Sequence, residues 1–292
     1  MWLLFAFLSA TLLGFYDVSK KQALKHHDVI PVLFLNTLFC SLIFLPVVFT
    51  TPAGGWEVQK YILLKACIVL SSWLLGYFGM KHLPLTIVGP INATRPVMVL
   101  LGAILVFGER LNLYQWAGVL LAITSFFLLS RTGRKEDINF RHNKWIFCIV
   151  GAAVMGAVSG LYDKYLIALP SAGGLGLNRM VVQSYYNIYQ CMMMGVIALA
   201  VREKHQPHKR KSWRSLMTIF LISVFLSAAD FAYFHALSLP CAMISVVSMV
   251  RRSSVLVSFS IGAFLFHEKN LRSKAIDLAL VLLSMVLLYL GT

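Results

Sequence analysis

About ten stretches of this chain run predominantly apolar for roughly 18 to 24 residues each, and that repetition leaves few folds open. An α-helix needs about 20 such residues to cross roughly 30 Å of hydrocarbon. Within lipid, only helices and closed barrels satisfy every backbone N–H and C=O. The stretches lie near residues 2–24, 31–50, 60–80, 84–107, 113–130, 145–169, 178–201, 213–238, 241–266 and 272–290. Charged residues make up 13% of the chain, where a soluble domain carries roughly a quarter. So few charges cannot clothe a water-soluble surface, and the expected fold class is an all-α integral membrane protein of about ten transmembrane helices. No basic residue precedes the apolar run from Trp2 to Tyr16, so it reads as the first span and not as a cleaved signal peptide.

The spans divide five and five around a polar, basic stretch at 131–144, which gives a first repeat over 1–130, a connecting loop over 131–144 and a second repeat over 145–292. Self-comparison supports the division. Gly14-Phe15-Tyr16-Asp17 recurs as Gly160-Leu161-Tyr162-Asp163, and Tyr77-Phe78 with Leu83-Pro84 recurs as Tyr233-Phe234 with Leu239-Pro240. Arg95 and Arg251 keep the same spacing as that second pair, before the register slips ahead of Phe107-Gly108-Glu109-Arg110 and Phe266-His267-Glu268-Lys269. An odd number of spans per half turns the second half upside down in the bilayer. Inverted repeats of this kind mark secondary transporters, with a substrate site near the midplane between the halves.

The formal net charge of +15 does not point to nucleic acid, because Lys and Arg crowd short loops instead of forming a patch on a folded module. Lys20, Lys21, Lys25, Lys81, the 131–144 and 202–214 stretches, and Lys269, Arg272 and Lys274 fall on one face of the predicted topology. Lys60, Lys65, Arg110 and Arg179 fall on the other. The positive-inside rule then predicts basic loops in the cytoplasm and both termini outside, in a plasma or inner membrane. The five cysteines are scattered without zinc-site spacing and read as small apolar helix residues. No cofactor or metal is expected. There is no phosphate-binding G-x-x-x-x-G-K-[ST] loop, H-E-x-x-H or G-x-S-x-G, so neither a built-in ATPase nor an enzyme is indicated.

Gly108-Glu109-Arg110-Leu111, followed by Gln115, Gly118 and an apolar run, resembles the recurrent signature of the EamA-like branch of the drug/metabolite transporter superfamily. Gly14 and Lys21 also match that family, while Tyr16-Asp17 departs from its usual neutral stretch, and Lys274 and Asp277 stand where the second copy's Gln and Gly would fall. The resemblance runs nearly end to end. It implies ten helices in two five-helix repeats and small-metabolite transport, commonly export, without covalent chemistry. It also implies termini inside more often than outside, against the charge count, which the orientation expected here follows.

Ionisable side chains inside spans are costly in lipid and tend to pair or to bind something. Arg95 and Arg251 are the sharpest candidates, because a guanidinium stays charged and grips carboxylate or phosphate through two parallel hydrogen bonds. Asn92 stands three residues before Arg95, and Pro90 and Pro96 bracket the pair, so a broken helix is expected there. Ser245, Ser248 and Arg252 form a comparable stripe. The alternative for the arginines is pairing with Asp17, Asp163 or Asp230. Asp17 stands four residues before Lys21, the favourable order for an ion pair on one helix face. Asp17, Asp163 and Asp230 are also candidate proton carriers. Tyr16, Tyr162, Tyr77, Tyr233 and Trp73 are candidate pocket walls, with ordinary packing as the alternative. His235 is a candidate titrating group or a hydrogen-bonded filler. Gln183, Tyr186, Asn187 and Gln190 make a polar stripe on an otherwise apolar helix, facing either a cavity or a neighbouring helix. Glu109 and Glu268 read as structural groups at helix starts.

Together these readings describe a secondary transporter, by resemblance an exporter, of a small polar metabolite such as an amino acid or organic acid. Coupling would come from protons or a counter-solute. Beyond the small-molecule substrate and the lipid bilayer no partner is expected, with the chain a monomer or homodimer. The rival readings are a multidrug or cation exporter with an acidic aromatic pocket, and a membrane scaffold without transport.

Overall fold

The computed structural model describes residues 2–51, 54–95, 97–98, 112–134, 142–167, 174–202, 213–238, 250–265 and 271–290. Among these it forms ten α-helices: α1 Trp2–His26, α2 Val29–Thr50, α3 Trp56–His82, α4 Leu85–Ala93, α5 Leu113–Arg134, α6 Lys144–Ile167, α7 Arg179–Arg202, α8 Trp213–Ser238, α9 Ser254–Leu265 and α10 Leu271–Leu290. By length and hydropathy, α2, α3, α6 and the Leu216–Tyr233 part of α8 are candidate membrane spans. Helices α1, α5, α7 and α10 have 25, 22, 24 and 20 residues, the length a span requires. Large apolar side chains such as Phe49, Leu113 and Phe264 stand on the outer surface, as lipid-facing positions do. The break between α3 and α4 is written in Leu83-Pro84, since Pro lacks an N–H and disfavours a helical residue ahead of it.

The helices pack mostly across the two halves of the sequence. Helix α1 lies on α8, α3 on α6, α2 on α7 and α5 on α10, with smaller seams joining α1 to α9, α2 to α8, α3 to α7 and α4 to α9. Lipid tails are as apolar as the helices, so close packing and hydrogen bonds must hold such seams together. Each of the four main seams carries a serine that donates to a backbone carbonyl on the facing helix. Ser9 Oγ reaches the Ala229 carbonyl at 2.7 Å, Ser72 the Ala152 carbonyl at 2.8 Å, Ser41 the Asn187 carbonyl at 2.8 Å and Ser125 the Asp277 carbonyl at 2.6 Å. Bonds of this kind are worth about 0.6 kcal/mol on average, so they fix register more than they supply stability.

Glycines set how closely two seams approach. A Cβ at Gly14 would stand 2.4 Å from Val257 Cβ and 3.1 Å from the Ser254 carbonyl, so α1 and α9 touch nearly backbone to backbone. At Gly79 a Cβ would meet Ile149 Cγ1 at 2.4 Å and the Trp145 carbonyl at 3.1 Å, closing α3 on α6. Gly55, at the start of α3, has nothing within 4 Å of such an atom. Gly79→Ala therefore destabilises the protein by about 1–3 kcal/mol through overpacking, whereas Gly55→Ala changes stability by less than about 0.5 kcal/mol. Thermal unfolding of the two variants in the same detergent checks the contrast.

Candidate functional site

Helix α4 stops at Ala93 although apolar sequence continues. Pro90 within it cannot donate a backbone hydrogen bond, and the Thr94 N–H bonds back to the Ile91 carbonyl at 3.2 Å in a tighter turn. The Thr94 hydroxyl caps the same carbonyl at 2.7 Å. The chain ahead of α9 is interrupted in like manner. Ser253 separates a helical turn at 250–252 from α9, its N–H bonds to the Val250 carbonyl at 3.0 Å, and its hydroxyl donates there at 2.6 Å. Arg95 follows the first break, and Arg251 and Arg252 precede the second. The expected broken helix around Asn92 and Arg95 is present.

These breaks lie side by side. Leu85 packs on Gly262 and Gly89 faces Val255, so α4 and α9 run antiparallel, and Ala93 joins Val255 and Phe259 in one apolar cluster. Continuing that register brings Asn92 and Arg95 level with Arg251 and Arg252. Arg95 Nη2 donates to Asn92 Oδ1 at 3.1 Å, and its guanidinium lies against Gly156 of α6, where a Cβ would be 2.8 Å from Cζ. Arg95 Nε is buried with no hydrogen-bond partner. Among the described residues no carboxylate stands within ion-pair distance of Arg95.

Arg251 is placed differently. It forms an ion pair with Asp230 of α8, and its guanidinium lies 4.3 Å from the centre of the Tyr233 ring. Its Nε, like that of Arg95, is buried without a partner. Gln183 Nε2 donates to Asp230 Oδ2 and to the Tyr186 hydroxyl, both at 3.2 Å, so α7 closes the site from a third side. The pairing foreseen for the arginines is thus realised by Arg251 and not by Arg95. The chain itself supplies the reason: Asp230 stands at a position whose counterpart, at the spacing that relates Arg251 to Arg95, is Leu74.

Asp17 pairs with Lys20, at 3.0 Å, correcting the expected pairing with Lys21. Lys21 Nζ instead donates to the Met80 and Leu83 carbonyls at 2.6 and 2.5 Å, the end of α3, where unsatisfied carbonyls and the negative pole of the helix favour a cation. Lys20 also lies 4.3 Å over the Tyr16 ring and 5.0 Å from the centre of the Tyr77 ring, and the two tyrosine hydroxyls are 3.4 Å apart. Tyr77 is fully enclosed, and Trp73 packs beside the main core cluster.

Asp163 pairs with Lys65, which sequence alone puts among the cations of the less basic face and which is buried within α3, 4.9 Å from the centre of the Tyr186 ring. Tyr162 donates to the Tyr61 carbonyl at 3.2 Å and sits among Tyr61 and Tyr165, apart from the arginines. Asn187 Nδ2 bonds the Gln183 carbonyl of its own helix at 2.9 Å, and the amide of Gln190 is buried without a partner. His235 is exposed and packs edge-on to Phe5. An apolar cavity beside Ser260, Ile261, Phe264 and Leu265 on α9 is lined by none of the candidate residues. The signature residues 107–111, Glu268, Ser245, Ser248, Pro96 and the 135–141 part of the connecting loop lie outside the described residues. Among those described, no cluster of His, Cys, Asp or Glu is arranged to hold a metal.

Residues 1–131 match the model of the EamA-like transporter family, so the resemblance read from the sequence is borne out over the first half of the chain. Over 139 residues the chain is 25% identical to an uncharacterized transporter of Archaeoglobus fulgidus, covering 46% of this chain and 50% of that one. The chain thus matches about half the length of that relative. It also superposes on a crystal structure of a protein over 97% of its own length and 96% of the other's, with a TM-score of 0.63 and 13% identity, which shows a shared fold. The chain is a multi-pass α-helical membrane protein, similar over residues 1–131 to the EamA-like transporter family.

Breaking a largely buried ion pair from one side costs about 3–5 kcal/mol, because the remaining charge stays desolvated. Arg251→Leu and Asp230→Leu should each lower stability by that order. The double variant should lose less than the two losses added, as a thermal-unfolding double-mutant cycle can measure.

Proposed function

We propose that the chain is a secondary transporter of a small polar metabolite bearing an anionic group, by family an exporter, working by alternating access around Arg95 and Arg251. The observation that carries this reading is Arg95 itself. It is a permanent charge inside the bundle, held by one neutral hydrogen bond, with a buried Nε left unpartnered. Such a group is expensive to keep in lipid unless something comes to meet it. A carboxylate that accepts from its fork supplies the missing partner.

The packing supports two halves related by inversion. The seams α1 on α8 and α3 on α6 exchange when the first five helices are swapped for the second five, as do α2 on α8 and α3 on α7, while α2 on α7, α4 on α9 and α5 on α10 map onto themselves. In this reading the halves rock about α4 and α9, where the broken helices and their arginines meet. Asp230 is the favoured proton carrier of the three candidate aspartates, because it is the carboxylate paired with Arg251 beside α9. The basic loops are assigned to the cytoplasm and the termini to the opposite side.

The cation-exporter alternative needs an acidic aromatic pocket. At Tyr16 and Tyr77 that place is taken by Lys20, whose charge already faces both rings and neutralises Asp17.

In proteoliposomes, Arg95→Ala should lower the initial rate of solute uptake by about 10- to 100-fold, since one charge-assisted contact is worth about 1.5–3 kcal/mol. Gly156→Ala should act in the same direction by displacing the Arg95 guanidinium, while changing the apparent Tm little, because the atoms it meets end a flexible side chain. Full uptake by both variants contradicts the assignment of the site.

A further inference from the structure

Among the described residues, Lys20, Arg95, Arg251 and Arg252 lie within electrostatic reach of one another around the seam of α4 and α9, with two carboxylates, Asp17 and Asp230, among them. Lys20 is engaged by Asp17, and Arg251 by Asp230. Arg95 spends one N–H on the neutral amide oxygen of Asn92 and keeps a buried Nε free. Arg252 makes neither a hydrogen bond nor an ion pair among the described residues; it lies within electrostatic reach of Arg95 and Arg251 and, less strongly, of Tyr233 and Asp17. The sequence 239–249 leading into these arginines contains no Asp or Glu. The antiparallel register of α4 and α9, fixed by the contacts of Leu85 with Gly262 and Gly89 with Val255, brings Arg95 and Arg252, neither of which has an ion pair among the described residues, to the same end of that seam.

Neighbouring cations repel each other, and the arrangement favours the arrival of counter-charge. One carboxylate on the solute would answer one of them and leave the other. Resting on the transport reading above, we propose that the solute is a dianion, a dicarboxylate or a phosphate monoester, whose oxyanion groups are shared between Arg95 and Arg252. Arg251, already committed to Asp230, lies behind them as the group that couples binding to the rest of the bundle. Tyr16 and Tyr77 lie under Lys20 and Tyr233 under Arg251, so these rings hold the two cations that are already engaged. Arg252 is thereby a specificity-determining residue: it selects the second negative charge.

The test uses the full-length protein in detergent and in proteoliposomes. Alanine and lactate carry one carboxylate, succinate and malate carry two, and inorganic phosphate and glycerol 3-phosphate supply the phosphate arm, all at matched ionic strength. The expected result is a rise in Tm with the dicarboxylates or with the phosphates, at concentrations where alanine and lactate give none. Arg252→Gln should weaken that dianion at least tenfold without lowering the ligand-free Tm, since it relieves the repulsion between the cations. Should Arg252→Gln not fold, Arg252→Lys, which keeps the charge without the planar fork, should weaken it at least fivefold. Alanine or lactate stabilising as strongly as the dianions, or dianion affinity within twofold in whichever Arg252 variant folds, overturns the dianion assignment. Uptake of the single-carboxylate solutes in that case leaves the transport reading standing. Failure of every solute both to stabilise and to cross the membrane overturns the two together.

Discussion

Inside this bundle a charge without a partner is the most expensive thing the chain can make, and the ion pair between Asp230 and Arg251 shows how the fold meets that constraint. The pair ties α8 to the turn before α9, and Gln183 ties α7 to the same carboxylate. Lys65 joins α3 to Asp163 of α6, and Lys21 of α1 closes the carbonyl end of α3. Polar groups therefore do between helices what apolar burial does in a soluble core. They define which helix faces which, and the seam serines set the register. Against this background, Arg95 and Arg252 have no ion pair among the described residues.

That asymmetry between the halves is chemical as well as structural. The two breaks, at Thr94 and Ser253, use the same device, a hydroxyl folded back on the carbonyl three residues earlier. The arginines beside them share one spacing in the repeat. Yet the second half carries Asp230 where the first has Leu74, so Arg251 has an ion pair and Arg95 has the Asn92 amide.

Much of this was legible in the sequence because helical spacing is local. Asn92 and Arg95, three residues apart, meet as one helix face requires. The burial of Gln183, Tyr186, Asn187 and Gln190 follows from their common stripe. What was not legible depends on neighbours that are far apart along the chain. Asp17 has lysines both three and four residues on, and the choice falls to Lys20 because the end of α3 engages Lys21. Lys65 gave no local sign of its pairing with Asp163. Tyr16 and Tyr162 recur in the sequence but stand in different settings, one under Lys20 and one beside Tyr61. Among the described residues no carboxylate pairs with Arg95, and the position that the repeat spacing sets against Asp230 is Leu74.

The central claim is that the solute completes the coordination of Arg95 at the meeting of α4 and α9. A structure of the protein with a stabilising solute bound tests it most directly. The account predicts a solute oxygen about 2.7–2.9 Å from Arg95 Nε or its terminal nitrogens, the distance of a charge-assisted bond, with Asp230 and Gln183 close by. Solute bound instead in the apolar cavity beside Ile261 and Phe264, with the Arg95 Nε still unpartnered, would contradict it.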